Sequence, residues 1–533
     1  MSPSLTKRRA RRTVRPAAWF AVPVALAMLA ACSTKPTTES GSDSNTPQKG
    51  GTLTVASGTE VTTLDPSKGS ANAMALTGVA IYDTLMIVPE LGDTPQPNIA
   101  KSLTVSSDQM TWTMTLPSGL KFSDGTDFDA AAVKFNMDRD MKTGSTAAAL
   151  LSSVKSVDAP DATTVVFHMK EPFASLPDVF AYDGSGTAGY VASPTALRKY
   201  GDNYTAHAAG VGPYMLQSWA PGKPEVLVRN PNYWNADKKP AYLDKVVIRT
   251  IDDPQSALQA LQAGDIDLMS SVDPTVLKTA KDDSSVNYVQ GVGQDQDSII
   301  LNYTGIFSDQ RLREAVSKAL DREQIVQLTT EGLGKPAVSL FPEGDPRHSD
   351  NADPGFDLAG AKKLVAEYQK ETGKKAAFTY SCNNTRPAND VIVSQLKAAG
   401  FTVKLDAPDY SSWVNNFFAK KYDAICWTMA GFLTPDLLPY RFLYSSGDLN
   451  TQGFKSAAFD READAARRAT DPKTQNEHWI AADKVLTEQL PWVWTTSAPI
   501  GFVYAKNVHG EDYQQPSRLR YSVPMFNNVW LSK

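Results

Sequence analysis

From Ala377 to Trp427 the chain alternates strand-like and helix-like stretches. Ala377 to Ser381 reads as strand, Asn389 to Ala399 as helix, Phe401 to Leu405 as strand, Ser411 to Lys420 as helix and Tyr422 to Trp427 as strand. Strands joined by crossover helices lie parallel in one sheet, so the run predicts a doubly wound α/β unit. In such a sheet ligands sit beyond the carboxyl ends of the strands. Those ends carry Cys382, Asn383, Asn384 and Arg386 on one strand and Trp427, Thr428, Met429, Ala430 and Gly431 on another. The Asn and Arg side chains can hydrogen-bond a polar ligand, or simply cap the helix that opens near Asn389. Trp427 can stack on a ligand or belong to the core. A wound unit commonly sets its first strand between the second and third, which puts Cys382 and Cys426 on neighbouring strands. A disulfide between them is then open, subject to its restrictive geometry.

The rest of the pattern divides around this unit. After Gly51, Thr52 to Ala56 alternates as a strand and Leu64-Asp65-Pro66 makes a turn. Thr111 to Leu116 alternates small polar with large apolar residues, Thr163 to Met169 repeats that character, and Asp129 to Asp138 between them reads as a helix. Pro224 to Arg229 and Lys245 to Ile251 read as strands, and Pro254 to Leu261 as a helix that stops at Gly264. Near 298 a fresh domain begins with a strand from Ser298 to Tyr303. The helix from Asp309 to Leu320 that follows sets Leu312, Ala315, Val316, Ala319 and Leu320 on one stripe. Asp321 with Gln324 forms a capping-box-like start to the next helix. The expected organisation is 51–95, 205–297 and 500–533 as one lobe, 96–204 as an inserted α+β subdomain, and 298–499 as a second lobe.

The N-terminus states an address. Lys7, Arg8, Arg9, Arg11, Arg12 and Arg15 precede an apolar run of 14 residues from Ala17 to Ala30, which closes on Ala31-Cys32. That run falls short of the roughly 20 residues a membrane span needs. The layout is that of a lipoprotein signal peptide over 1–31, with Cys32 as the acylated first residue of the mature chain. Arg11-Arg12 leaves a twin-arginine route open beside the general one. From Ser33 to Gly51 no aliphatic or aromatic residue occurs. Residues 32–50 therefore read as a flexible tether between lipid and fold.

Removing the first 31 residues removes six basic and no acidic side chains, leaving 47 Lys and Arg against 58 Asp and Glu, a net charge of −11. Such a surface argues against a nucleic-acid partner. With Cys32 acylated, Cys382 and Cys426 remain, too few for a disulfide framework and wrongly spaced for zinc. The histidines at 168, 207, 348, 478 and 509 are scattered and include no HExxH, so no metal is expected. Ser152-Ser153-Val154-Lys155, Ser349-Asp350-Asn351 and Lys142-Thr143-Gly144 match the short motifs of penicillin-recognising enzymes singly, but in the wrong order. Gly184, Gly186 and Gly189 satisfy GxGxxG without a surrounding βαβ unit. No GxSxG or Walker loop occurs, so neither a cofactor nor a catalytic constellation is indicated; an exported hydrolase is the rival class.

Three passages together resemble the family 5 extracellular solute-binding proteins, the cluster of dipeptide, oligopeptide and nickel receptors that serve ABC importers. They are Pro97 to Leu103 running through Trp112-Thr113-Met114 to Gly119–Thr126; Val211-Gly212-Pro213-Tyr214 with Trp219, Arg229 to Trp234 and Ala263 to Leu268; and Arg311 to Val316 with Ala319 to Glu323. The resemblance implies a two-lobed, type II periplasmic-binding-protein fold with mixed doubly wound sheets and an extra α+β subdomain. It also implies a monomeric receptor, not an enzyme, that closes on a small solute and passes it to ABC permease subunits. A diacylglyceryl group on Cys32 would hold that receptor at the outer face of the cell membrane. Peptide-binding members carry an Asp about three residues after the aromatic position matching Trp427, where it pairs with the peptide's free ammonium. Here that position is Ala430, or Gly431 if the alignment slips, and neither ionises. An oligopeptide remains the expected solute, with nickel chelates, oligosaccharides and other small molecules as alternatives.

Overall fold

The computed structural model describes residues 46–69, 73–89, 94–181, 187–291, 295–348, 353–429, 435–510 and 526–532. Cys32, the signal segment, Ala430, Gly431, Gly184 and Gly186 lie outside the described residues.

Two mixed sheets organise the chain. The first has seven strands in the order Tyr214–Ser218, Glu225–Arg229, Lys245–Thr250, Thr52–Ser57, Leu268–Ser271, Ile500–Ala505 and Val286–Gly291. Thr52–Ser57 is parallel to both of its neighbours. Leu53 and Val55 on one face are buried with Val246, Ile248, Leu268 and Phe502, and Ala56 on the other face is buried in a separate core, as a strand covered on both faces requires. The second sheet has six strands in the order Lys335–Pro336, Trp492–Ser497, Gln296–Leu301, Ala424–Met429, Ala377–Ser381 and Thr402–Asp406. Ala377–Ser381 is parallel to both of its neighbours, so the first strand of the wound unit sits between the second and third. The predicted strands at 298–303 and 422–427 each differ from the observed ones by two residues, in opposite directions. Both pair antiparallel with each other from Gln296↔Met429 to Leu301↔Ala424, which shifts the first two residues toward the N-terminus and carries the second through Met429. Thr428 and Met429 thus belong to the strand rather than to the loop after it.

A third, antiparallel sheet of four strands, Ser102–Val105, Thr111–Thr115, Thr164–Met169 and Val154–Asp158, lies within residues 96–204. Alternate residues Trp112, Met114, Val165, Phe167 and Met169 are buried in its own core. Leu437, from the other end of the sequence, is buried in that core as well. Alongside it, the Arg467 guanidinium packs over the rings of Phe173 and Tyr440, its Nη2 donates to Ser153 Oγ at 3.1 Å, and its carbonyl accepts from Ala174 N–H at 2.8 Å.

Helix starts follow local chemistry. Asp253, Asp273 and Asp471 each accept a hydrogen bond from a first-turn N–H and precede a Pro at the opening of the helix. At Asp321 the capping box differs from expectation. Its carboxylate accepts from Gln324 N–H at 3.0 Å, but its own N–H donates to Gln395 Oε1 at 3.1 Å, and Gln395 Nε2 donates to Gln324 Oε1 at 2.8 Å. A side chain from another helix has taken the reciprocal role. Two of the recognition motifs are framework. Asp124-Gly125-Thr126 is a turn with Gly125 at φ +85°. At Gly212 a Cβ would lie 2.3 Å from the Ala80 carbonyl oxygen, so the chain can pass there only without one.

The chain crosses between the two large sheets between Gly291 and Gln296 and again between Ser497 and Ile500. The crossings run side by side: Gly291 pairs with Ile500 and Gln296 with Ser497, and Ala498 N–H donates to the Asp295 carbonyl at 3.4 Å.

Candidate functional site

The Ala424–Met429 strand offers its two faces to different surroundings. Trp427 is half-buried: its ring packs against the core of the second sheet and also lines the smaller of two cavities. Its ring centre lies 4.2 Å from Phe417, 4.7 Å from Trp413 and 5.8 Å from Phe442. Trp413 and Phe417 are four apart on the helix Tyr410–Phe418, the spacing that puts both on one side. Replacing Trp427 with Ala is expected to lower unfolding stability by about 3 kcal/mol through the cavity it leaves. Urea unfolding checks this, and an unchanged midpoint would mean that the ring serves the cleft.

Thr428, one residue on, turns to the opposite face. Its hydroxyl donates to Asp297 Oδ1 at 2.6 Å and accepts from Arg386 Nη2. Arg386 Nη1 also donates to Asp297 Oδ1 at 2.7 Å, and Thr496 Oγ1 reaches Asp297 Oδ2 at 3.4 Å. A charge-paired knot thus ties three strands to the turn after Ser381. The turn is held from within. Asn383 Oδ1 accepts from Thr385 N–H and Oγ1, Asn389 Nδ2 donates to the Asn383 carbonyl at 3.0 Å, and the N–H of exposed Asn384 donates to the Pro408 carbonyl at 3.0 Å. Asn383 is buried, and its side chain shapes the turn that aims Arg386. Cys382 and Cys426 are joined as a disulfide, with Cα atoms 5.1 Å apart. Met429 is buried.

Two cavities adjoin at Val272, Pro274, Ala498 and Pro499. The smaller, about 220 Å³, is walled by Asp297, Arg386, Tyr380 and the disulfide. The larger, about 700 Å³, opens at the carboxyl ends of Thr52–Ser57 and Leu268–Ser271 and reaches the crossing at Asp295 and Pro499. This is the place where α/β sheets receive ligands. Asp295 lines it and is half-buried. Burial pushes its pKa up to about 6, Asp297 adds to the rise and Arg386 opposes it.

Sequence reasoning missed Asp295 and Asp297. The signal was present as two acids spaced to share a strand face immediately before an apolar run, at the junction of two domains. Asp436, the other acid near the strand end, lies away from both cavities. It is buried, accepts from Ser175 Oγ and has its pKa pushed up to about 6 by that burial.

Comparison with known proteins settles the class. Residues 94–450 match the middle region of the bacterial extracellular solute-binding proteins, family 5. The chain belongs to that family. The receptor is 25% identical over 485 residues to the glutathione-binding protein GsiB of Salmonella paratyphi A, covering 86% of this chain and 91% of the relative. It is 27% identical over 486 residues to a probable D,D-dipeptide-binding periplasmic protein, DdpA, of Escherichia coli, covering 86% and 90%. The same fold occurs in the ABC transporter-associated periplasmic binding protein DppA of Helicobacter pylori, solved with the peptide STSA, at a TM-score of 0.73 and 22% identity over 91% of this chain and 99% of that one. The architecture is accordingly the two-lobed one of that family. The receptor is a solute-binding protein of the extracytoplasmic space and not an enzyme.

Proposed function

We propose that the receptor, anchored by a diacylglyceryl group on Cys32, captures a peptide or peptide-like solute between its lobes and delivers it to the permease of an ABC importer. The cleft of about 700 Å³ carries this reading. It lies between sheet ends and a double crossing, and its size suits a small peptide. The named ligands of GsiB and DdpA, glutathione and a D,D-dipeptide, favour a peptide class. The lobes in this reading are 51–95, 205–297 and 500–533 against 298–499, with 96–204 as the inserted subdomain. The crossings at 291–296 and 497–500 act as the hinge, and the solute selects the closed state by touching both sides. Arg386 and Thr428 face the solute from the second lobe, and Ala430 and Gly431, which lie outside the described residues, are assigned to the same ligand set from the sequence. Asn383 and Asn384 position Arg386.

Mass spectrometry of solute released from the purified mature domain, followed by thermal unfolding with that solute, tests the proposal. A concentration of about 100 times Kd should stabilise the protein by about 2.7 kcal/mol. The solute should be recovered unchanged; its turnover would overturn the receptor reading.

A further inference from the structure

Besides the double crossing, the chain joins its parts at a second place, where residues 436–475 meet the inserted subdomain. Leu437 plugs the subdomain core with 7% of its surface exposed. Around that plug the contacts are polar. Gln109 Nε2 donates to the Arg468 carbonyl at 2.7 Å, Gln475 Nε2 donates to Ser175 Oγ at 3.1 Å, and Ser175 Oγ donates to the buried Asp436. Arg467 stands at the centre. Its guanidinium lies 5.2 Å from the ring centre of Phe173 and 4.2 Å from that of Tyr440, and it donates to Ser153 Oγ at 3.1 Å and Glu171 Oε1 at 3.4 Å. Only 12% of its side chain is exposed.

The subdomain is joined to the first sheet's part of the chain in another way. There Leu85 N–H donates to the Gly189 carbonyl and Met86 N–H to the Phe180 carbonyl, both at 3.2 Å, and Ser123 N–H donates to the Gly210 carbonyl at 2.9 Å. Leu85, Met86 and Val211 are buried in the subdomain core. Backbone bonding and a shared core make one body of the two. A single apolar plug ringed by side-chain hydrogen bonds is instead the make-up of an interface that comes apart. A rotation about the crossings therefore breaks the junction at Arg467 and leaves the other intact.

We propose that the contacts around Arg467 form a latch that holds the lobes together before any solute arrives, so that this arginine sets the resting balance between open and closed receptor. The proposal rests on the two-lobed receptor reading above and adds a closed bias to it. The guanidinium packs over two rings, one from each side of the junction, so one side chain bridges both bodies. Such a latch acts on affinity without touching solute. Because the protein supplies part of the closing free energy itself, a solute has less to add, and both its entry and its exit wait for the latch to open.

Electron–electron resonance distances test this on the full mature receptor, stripped of solute and carrying spin labels at Lys155→Cys and Lys473→Cys in a Cys32→Ser background. Both labelled positions are exposed, one in the subdomain and one on the helix Pro472–Gln489. Wild type should show mainly the short distance. Arg467→Ala should lower the ratio of short to long distance on the order of tenfold, the scale of a lost cation–π contact and a lost hydrogen bond. Arg467→Lys keeps the charge between the rings and should recover part of that ratio. Gln109→Asn withdraws the donor to Arg468 from the other side of the junction, at a φ of +60° that Asn tolerates, and should shift the ratio the same way. That variant decides the matter should Arg467→Ala melt well below wild type. A long distance predominating in wild type, or a ratio changed less than twofold in Arg467→Ala and in Gln109→Asn, would overturn the latch. One identical sharp distance in wild type and every variant would in addition remove the hinge on which the receptor reading depends, whereas a spread of distances indifferent to these residues would remove the latch alone.

Discussion

Replacing Arg322 with Met is expected to lower the unfolding free energy by about 3–5 kcal/mol, the range seen when one partner of a buried ion pair is removed. Arg322 opens the helix Arg322–Thr329, but its guanidinium lies inside the second lobe with a side-chain exposure of 6%, against 8% for its partner Asp353. The pair is 2.8 Å apart, and Arg322 Nε also donates to the carbonyls of Trp494 at 2.8 Å and Ala337 at 3.1 Å. Burial pushes the arginine's pKa down and Asp353 pushes it back up. Loss of the guanidinium strands a carboxylate and both carbonyls. Asp353 then keeps Ser317 Oγ at 3.1 Å and the Gly355 N–H at 2.8 Å, too little to balance a buried charge. Guanidinium unfolding followed by the fluorescence of Trp479, Trp492 and Trp494 reads this lobe directly. The double variant Arg322→Met/Asp353→Leu should recover much of the loss, and a single-variant effect below about 1 kcal/mol would show that the pair is not holding the lobe.

The second large effect belongs to the disulfide. Cys382 and Cys426 are 44 residues apart, and closing a loop of that length is worth about 4 kcal/mol in the chain-entropy account. Cys382→Ala/Cys426→Ala should lose about 2–4 kcal/mol, read as a lower melting temperature insensitive to added reductant. The bond also bears on the site. It fixes the strand end that leads to Arg386 against the strand that carries Thr428, so the variant should lose solute affinity in addition to stability. Wild-type melting in the variant would refute the first expectation, and wild-type affinity the second.

Much of this fold is legible because it is local. The run from Ala377 to Trp427 carries its own crossover helices, which make its strands parallel, and a wound unit commonly sets its first strand in the middle. Asp-Pro helix starts and the alternating strand of Thr111–Thr115 depend on neighbours a few residues away. What escaped depends on partners far along the chain. Trp427 lies at a strand end where ligands are expected, but Trp413, Phe417 and Phe442 claim its ring, and the choice of face comes from packing rather than from the residue itself. Gln395 enters the Asp321 cap from another helix. Asp295 escaped because an acid before a strand looks like any turn residue until the crossing at Ala498 is brought beside it.

The strand Ile500–Ala505 lies between Leu268–Ser271 and Val286–Gly291, which are made more than two hundred residues earlier. Until it arrives, the edge strand Val286–Gly291 has no partner in the first sheet and Leu268–Ser271 is unpaired on that side. The second sheet waits almost as long, since Trp492–Ser497 must enter between Lys335–Pro336 and Gln296–Leu301. One short stretch near the C-terminus, from Trp492 to Ala505, therefore completes both large sheets. Each sheet keeps a vacant strand position until that stretch is made, so neither can close before nearly all of the chain is available.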